Sequence, residues 1–386
     1  MQTARVAVVG GGLSGLYAAF LLQQRGIHDY LVFEARKTPG GRILSVPATA
    51  HGDAGSKSDA KRDRLDLGPT WFWPDLQPQL GGLIHDLGIT SFEQRQTGDM
   101  MVERSHGEPP MRMRGYTTAP VSMRLAGGIA TLTDTLAAAL DAKSVFTGEA
   151  VRSLRFTGRD VELSSEDLAG NFRTACVDHV LLALPPRLVE SNISFEPALP
   201  QALVQQWRSI DTWMAPHAKY VATYPSAFWR QSGLSGEARS ACGPLGEIHD
   251  ASTEGGNAAL FGFFGIPAGV RRNVKEAVLR MHCRTQLARL FGPRAATPEA
   301  EFIKDWACDP HTATIRDIEG ASQRIALPAA NAPLGSWSER LTGIASEWSP
   351  QFPGYLAGAI DAAHRGVQAL SSHNHSASRQ GKRQSI

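Results

Sequence analysis

The sequence has no large excess of charge of either sign: it contains 39 lysines and arginines and 37 aspartates and glutamates, a net charge of +2 in 386 residues. Such a balance provides no field that attracts nucleic acid or an anionic membrane, so we expect a small-molecule partner. Cysteine is scarce, since Cys176, Cys242, Cys283 and Cys308 lie far apart and never as Cys-x-x-Cys, which argues against a disulfide framework and a zinc ribbon. The 12 histidines lack metal-ligand spacing, and we expect no metal site.

Long apolar runs are also absent. No segment reaches the length needed to span a bilayer, and the chain starts without the basic region and apolar core of a signal peptide. We therefore expect a soluble, cytoplasmic protein. The hydrophobic fraction of 42% excludes a disordered chain, and the length indicates two domains or one large composite domain.

The N-terminal region has the pattern of a βαβ unit. An apolar run over residues 5–10 precedes a glycine cluster, a Leu- and Ala-rich helix that closes at Gly26, and a second apolar run over 30–33. The glycines form Gly-x-Gly-x-x-Gly, the turn that lets a pyrophosphate reach a helix N-terminus. Glu34 ends the second strand, where a carboxylate accepts hydrogen bonds from ribose hydroxyls. The pattern predicts a dinucleotide site at Gly10, Gly12, Leu13, Ser14, Gly15 and Glu34.

Two further motifs carry a family resemblance. FEARKTPGGR and LDLGPTW, in this order, resemble the segments that surround FAD in the flavin-containing amine oxidase family. An arginine just beyond the Gly-Gly turn can offset pyrophosphate charge, and a glycine loop lets backbone approach a flavin ring. The resemblance implies cofactor contacts from Ala35, Arg36, Gly41, Arg42, Gly68, Pro69, Thr70 and Trp71, and we assign Val151 to the same group.

The C-terminal segment RLTGIASEWSPQFPGYLAGAIDAA resembles the closing motif of the same family. The resemblance implies that Glu347 lies near the ribityl and pyrophosphate region and that Gly354 and Tyr355 open a helix directed at the flavin pyrimidine. The positive end of such a helix would stabilise negative charge on the reduced ring.

Lys219 is the main candidate for a catalytic residue. Alternation in AKYVATY places Lys219, Val221 and Thr223 on one face of a strand that should be largely buried, an unusual position for a charge. The surrounding APHAKYVATYPSAFW is similar to the family's lysine-containing strand and its Phe-Trp pair, which implies that Lys219 holds a water near flavin N5. A desolvated lysine there would also help to activate O2. By the same resemblance Trp306 borders the substrate cavity, and Tyr355 completes the catalytic group.

The chain also departs from the monoamine oxidases. Ile315 stands where their flavin-linking cysteine would fall, so we expect non-covalent FAD, and Arg316 stands at the second tyrosine of their aromatic cage. Cys308, which comes earlier, is interpreted as a small core residue or cavity liner. The segment between Gly88 and the turn at 127–128 is much shorter than the family's substrate cap. A shallow cavity fits this difference, and so does a cavity covered by a second subunit, in a homo-oligomer, or by another partner.

These patterns predict an α/β fold with a discontinuous Rossmann-type FAD-binding domain (1–78, 126–208 and 336–386) and an α+β substrate domain with a mixed or antiparallel sheet (79–125 and 209–335). Residues 48–64 are predicted to form a mobile loop and 371–386 a disordered tail. Strands are expected at Val180–Leu184, Ala218–Tyr224 and Ala259–Phe264, and a helix over Val274–Phe291. Residues 98–124 show no lasting periodicity.

Three functions are compatible with this fold. The first is FAD-dependent amine oxidation, with hydride transfer from the amine α-carbon to flavin N5, hydrolysis of the imine, and reoxidation by O2 to H2O2. The second is oxidation or desaturation of a hydrophobic substrate, as in protoporphyrinogen oxidase or phytoene desaturase. The third is a protein-binding module without flavin, as in the Rab GDP-dissociation inhibitors. Lys219 favours the first, and the retained dinucleotide residues argue against the third.

Overall fold

The structure is a computed structural model that describes residues 2–48, 63–253, 256–319 and 327–381, with side chains up to residue 370. Its strands are β1 Gln2–Val9, β2 Tyr30–Glu34, β3 Ser45–Pro47, β4 Arg64–Asp66, β5 Ser91–Glu93, β6 Asp99–Glu103, β7 Met111–Met113, β8 Met123–Leu125, β9 Val145–Thr147, β10 Glu149–Phe156, β11 Val161–Asp167, β12 Phe172–Leu182, β13 Ser194–Glu196, β14 Ala218–Tyr224, β15 Leu234–Ser240, β16 Leu245–Asp250, β17 Ala258–Phe264, β18 Ala300–Asp305 and β19 Leu341–Gly343.

The α-helices of the same residues are α1 Leu13–Gln24, α2 Pro78–Asp86, α3 Ala130–Ala138, α4 Pro186–Asn192, α5 Gln201–Ser209, α6 Phe228–Gln231, α7 Ala268–Arg271, α8 Glu276–Phe291, α9 Ile315–Glu319 and α10 Leu356–Gly381. None of the described helices combines the length and the apolar character that a membrane crossing requires.

The chain divides into two compact units, each assembled from separate segments. Unit 1 comprises Met1–Gly41, Thr133–Trp213 and Ala321–Ile386, and unit 2 comprises Arg42–Leu132 and Met214–Gly320. The units differ from the predicted domains at residues 42–78 and 126–132, which belong to unit 2, and among the described residues at 209–213 and 327–335, which belong to unit 1. The reason is packing, because β4 and the segment after it contribute Leu65 and Leu67 to a core cluster with Val221 and Phe261 of the unit 2 sheet.

Unit 1 contains a sheet in the order β13-β10-β11-β12-β1-β2-β9, with β19 also paired to β12. β1 is parallel to both β2 and β12, which confirms the predicted βαβ unit. β10, β11 and β12 are antiparallel neighbours in this sheet. The four apolar residues that open β2 are fully buried, consistent with a strand covered on both faces.

Unit 2 contains a mixed sheet in the order β18-β14-β17-β16-β15-β6-β7. Among the described strands of this sheet, β15 and β6 form the single parallel pair. β14 occupies the predicted Ala218–Tyr224 and pairs antiparallel with β17 and β18. One face of this sheet packs in a core with α8, through residues such as Tyr220 and Leu287. The opposite face carries Lys219 and Phe263, which are direct cross-strand partners.

Several local expectations need correction. Residues 98–125, to most of which no element was assigned from the sequence, contain β6, β7 and β8, three short strands without a long periodic pattern. The backbone of α10 continues to Gly381, so the first eleven residues of the predicted disordered tail are helical in the structure, as an extension of an already nucleated Ala-rich helix. Cys308 is exposed rather than a core residue, because it ends a 3-10 turn beyond β18. The predicted mobile loop falls largely on residues 49–62, outside the described residues.

Candidate active site

The glycine turn after β1 is fixed by close backbone packing. Gly10 has φ of 107°, a conformation that side chains disfavour, and a Cβ there would lie 2.8 Å from the carbonyl oxygen of Ala183. A Cβ on Gly15 would lie 1.9 Å from the carbonyl oxygen of Gly10, so helix α1 packs directly on the turn. The fold itself therefore requires both glycines.

Gly12 is different, because the protein leaves the space beside it open. A Cβ on Gly12 would meet nothing closer than the Cα of Gly41, at 3.8 Å. Gly12 caps helix α1 without a side-chain hydrogen bond, and the first N–H groups of a helix have no partner within the helix. An open space beside such N–H groups can accommodate an anionic ligand, such as the pyrophosphate of a dinucleotide.

Glu34 closes this site at the end of β2. Its side chain is buried, with one oxygen accepting from the Gly11 N–H at 2.7 Å and the other from the Arg36 N–H at 2.7 Å. These bonds fix the carboxylate orientation, and each oxygen keeps a second lone pair for a ribose hydroxyl. The Gly40–Gly41 turn packs on the same loop, since the Gly40 N–H donates to the Gly11 carbonyl at 2.9 Å. The first motif and this turn thus form one structure in unit 1.

The C-terminal motif also belongs to unit 1. Glu347 is buried and accepts from the hydroxyl of Ser346 at 3.0 Å. Tyr355 precedes α10 and is 40% exposed, with its ring stacked on Trp213 at 6.0 Å between centroids. Gly354 has φ of 84°, and a Cβ there would lie 2.6 Å from the Trp213 Cβ. Trp213 therefore packs directly beside the start of α10.

Lys219 is enclosed on the sheet of unit 2. Its side chain is only 2% exposed, and its ammonium group donates to the Gly68 carbonyl at 3.2 Å and to the Thr70 hydroxyl. The same nitrogen lies 4.0 Å from the ring centroid of Phe261 and 5.6 Å from that of Phe263. Aromatic faces and two acceptors stabilise a cation, whereas burial opposes it.

Burial is the stronger influence on this lysine. Desolvation lowers the pKa of Lys219 from 10.5 to about 7, while the charge of Asp66 raises it and that of Arg124 lowers it. The amine therefore changes charge near neutral pH. A lysine in this state can act as either a proton donor or a proton acceptor.

The segment after β4 is held by the residues that the sequence singled out. Trp306 is buried and donates from its indole nitrogen to the Leu67 carbonyl at 3.1 Å. Lys219 donates to the Gly68 carbonyl and the Thr70 hydroxyl of the same segment. Trp71 donates to the amide oxygen of Gln94 at 2.8 Å. The structure thus brings the Asp-x-Gly-x-x-Trp motif, Lys219 and Trp306 into one site within unit 2.

The remaining predicted residues are distributed between the units. Ala35 and Arg36 follow Glu34 in unit 1 and are half-buried. Val151 lies on β10 in the hydrophobic core of unit 1. Arg42 belongs to unit 2, where its carbonyl oxygen would lie 2.2 Å from a Cβ on Gly68, and Pro69 is half-buried in the same segment. Leu13 and Ser14 are buried in the first turn of α1.

Sequence reasoning missed two buried charges beside Lys219. Asp66 is 5% exposed, and its Oδ1 accepts from the Ser45 hydroxyl and the Ile129 N–H. Arg124 is 3% exposed and donates to the carbonyl groups of Ala251 and Ser252, both at 2.9 Å. The aspartate of the LDLGPTW motif was a signal for the first. No local pattern in residues 98–124 marked the second.

The described residues contain no group of three His, Cys, Asp or Glu side chains that could hold a metal ion. A glycine turn at a helix N-terminus, a buried carboxylate after the second parallel strand and the strand order define a Rossmann-type dinucleotide-binding protein. The second unit, with its mixed sheet and buried Lys219, distinguishes this chain from proteins that consist of a Rossmann-type domain alone.

The chain belongs to the flavin-containing amine oxidoreductase family. The model of that family matches residues 92–371, and a model of NAD(P)-binding Rossmann-like domains matches residues 8–93. The first match covers well over half of the chain. It confirms the resemblance that the motifs had indicated.

Individual relatives are named for amine oxidation. Putrescine oxidase of Kocuria rosea is 34% identical over 208 residues, which cover 49% of this chain and 41% of that protein. A probable flavin-containing monoamine oxidase A of Dictyostelium discoideum is 25% identical over 254 residues, 63% of this chain and 52% of that protein. The chain therefore spans about half the length of the curated relatives it matches.

Solved structures share the fold over nearly the whole chain. A putrescine oxidase bound to putrescine superposes with a TM-score of 0.77 at 20% identity, covering 96% of this chain and 99% of that one. Cyclohexylamine oxidase from Brevibacterium oxydans IH-35A gives a TM-score of 0.77 at 18% identity with the same coverage. These similarities confirm the predicted fold class.

Proposed function

We propose that the protein is an FAD-dependent amine oxidase with non-covalently bound FAD. The observation that carries this proposal is the buried Lys219, bound to Gly68 and Thr70 of the motif that the family resemblance assigns to FAD. Family membership and relatives named for oxidation of putrescine and monoamines support the choice of an amine as substrate.

The residues present fit the cofactor. Gly12 leaves open the space over the N-terminus of α1, and buried Glu34 is oriented to accept from ribose hydroxyls. When bound, FAD supplies the acceptor for a hydride from the amine α-carbon. The substrate becomes an imine that water hydrolyses to a carbonyl compound and ammonia, and the two electrons pass to O2 to give H2O2.

This chain's own contribution is to orient the substrate and to control protons. By the family resemblance, Lys219 would hold a water near flavin N5, and its positive charge at neutral pH and below would favour electron transfer to O2. By the family resemblance, the buried Trp306 of unit 2 would border the substrate. Ile315, at the position of the flavin-linking cysteine, lies at the start of α9 and offers no thiol for a covalent link.

Three measurements test this proposal. The purified protein should be yellow, and denaturation should release all of its flavin into the supernatant. Peroxide release should then be measured across a panel of monoamines and diamines, with protoporphyrinogen and a carotenoid precursor as the alternative substrates. Lys219→Met should reduce flavin reoxidation by O2 at least about tenfold.

Lys275→Met is the matched control, because Lys275 is an exposed lysine of unit 2 at the residue before α8. Its oxidation rate should remain close to that of the unmodified protein. A colourless protein that binds no added FAD would contradict both enzyme hypotheses. Turnover of a hydrophobic substrate without amine oxidation would favour the second function.

A further inference from the structure

We propose that Asp66 is a positioning residue for Lys219: its buried carboxylate shapes the loop that binds the lysine and holds the lysine as an ammonium ion. The inference rests on the proposed function only for the use of Lys219 at the flavin. The coupling itself concerns two side chains within unit 2.

The first argument is the geometry of the loop. Asp66 ends β4, and its Oδ1 accepts from the Ser45 hydroxyl at 2.5 Å and from the Ile129 N–H at 2.9 Å. Both bonds fix the point at which the chain leaves β4. Two residues later begins the short stretch whose Gly68 carbonyl and Thr70 hydroxyl accept from Lys219. A change at Asp66 therefore acts on both acceptors of the lysine.

The second argument concerns Asp66 Oδ2, the carboxylate oxygen that takes part in neither of these bonds. Asp66 Oδ2 is buried and has no hydrogen-bond partner among the described residues. Asp66 also forms no ion pair there within 4.0 Å. A buried carboxylate without a bonded counterion is costly unless another positive charge compensates it. Lys219 and Arg124 are the positive charges that act on it.

Two other charged groups on the same sheet face as Lys219 are paired with other described residues. On β18, Lys304 lies directly opposite and binds Asp309. On β16, Glu247 binds both Arg239 and His249, and the His249 ring packs on Phe261. The remaining neighbour is Arg124 on β8, whose charge opposes that of the lysine. Asp66 is thus the carboxylate that favours the ammonium form.

The pKa directions agree with this arrangement. Burial raises the pKa of Asp66, whereas the charges of Lys219 and Arg124 lower it. Burial lowers the pKa of Lys219, whereas the charge of Asp66 raises it. Each group therefore stabilises the ionised form of the other. Removal of one charge must shift the titration of its partner.

The test follows the titration of Lys219 directly. The chain has eight lysines, so the purified protein labelled with ¹³C at lysine Cε gives few signals, and Lys219→Met assigns the one of interest. Asp66→Asn keeps an oxygen for the Ser45 and Ile129 bonds but removes the charge. We expect the midpoint of Lys219 to fall by at least about one pH unit, a tenfold change in its acid dissociation constant.

The control is Glu103→Gln. Glu103 is a buried carboxylate on β6, in the sheet that contains Lys219, and it pairs with Arg289 at 2.7 Å. Its substitution should leave the Lys219 midpoint unchanged. A folded Asp66→Asn protein with an unchanged Lys219 midpoint would overturn the proposal.

A reciprocal measurement covers the case in which Asp66→Asn does not fold. Lys219→Met should raise the midpoint of Asp66, followed by the ¹³C signal of its carboxyl group, by a similar amount. An unshifted Asp66 midpoint in that variant would overturn the proposal equally. Neither titration depends on amine turnover, so a failed amine panel combined with reciprocal shifts would reject the proposed function and leave the coupling intact.

Discussion

Removal of the Lys219 charge should change how stability depends on pH. In the folded protein the pKa of Lys219 is about 7, and in the unfolded chain it returns to 10.5. Between these values the unfolded chain binds one proton more than the folded protein, so this lysine makes the free energy of unfolding rise with pH. Below pH 7 both states are protonated, and the contribution is constant.

The magnitude follows from the two pKa values, which differ by about 3.5. At about 1.4 kcal/mol for each pH unit, the full effect is on the order of 5 kcal/mol between pH 7 and 10.5. Lys219→Met removes the titrating group. Relative to the unmodified protein, the variant should therefore lose about 1.4 kcal/mol of stability per pH unit as the pH rises above 7.

The assay is denaturant unfolding of the unmodified protein and Lys219→Met at several pH values from 6 to 10, at one fixed concentration of FAD. Lys304→Met is the control, since its side chain is partly exposed and paired with Asp309. It should show the same pH dependence as the unmodified protein. Parallel curves for Lys219→Met and the unmodified protein would refute the reasoning, because they would mean that Lys219 titrates alike in both states.

Four other substitutions give distinct expectations. Gly12→Ala should fold normally but lose bound flavin, whereas Gly15→Ala, whose Cβ would lie 1.9 Å from a carbonyl oxygen, should fail to fold; flavin content and thermal unfolding separate the two. Gly354→Ala should cost about 1–3 kcal/mol of stability in thermal unfolding, because its Cβ would lie 2.6 Å from the Trp213 Cβ at a positive φ. Thr70→Val should cost about 1–3 kcal/mol at pH 6 and less at pH 9, where Lys219 is neutral, as measured by denaturant unfolding.

Local pattern was sufficient for much of the fold. The glycine turn, the parallel strands around it and β14 follow from short stretches of sequence whose periodicity or spacing has few structural interpretations. The alternation in β14 also predicted that Lys219 would lie on a buried face, and its side chain is 2% exposed.

Features set by distant contacts could not be predicted in this way. The assignment of residues 42–78 to unit 2 depends on Leu65 and Leu67 packing against a sheet more than 150 residues later in the chain. Arg124 lies on a three-residue strand without a recognisable pattern, and its burial depends on acceptors in Ala251 and Ser252. The role of Asp66 likewise follows from Ser45 and Ile129, which no local motif connects.

The most direct test of the central proposal is an anaerobic reaction of the yellow protein with a diamine or monoamine, monitored by the visible absorbance of its flavin. The amine should bleach the flavin in a single turnover, and readmitted O2 should restore the colour with release of one H2O2 per flavin. Bleaching in the unmodified protein and slow recovery in Lys219→Met would support the assignment. A flavin that no amine in the panel bleaches would contradict it.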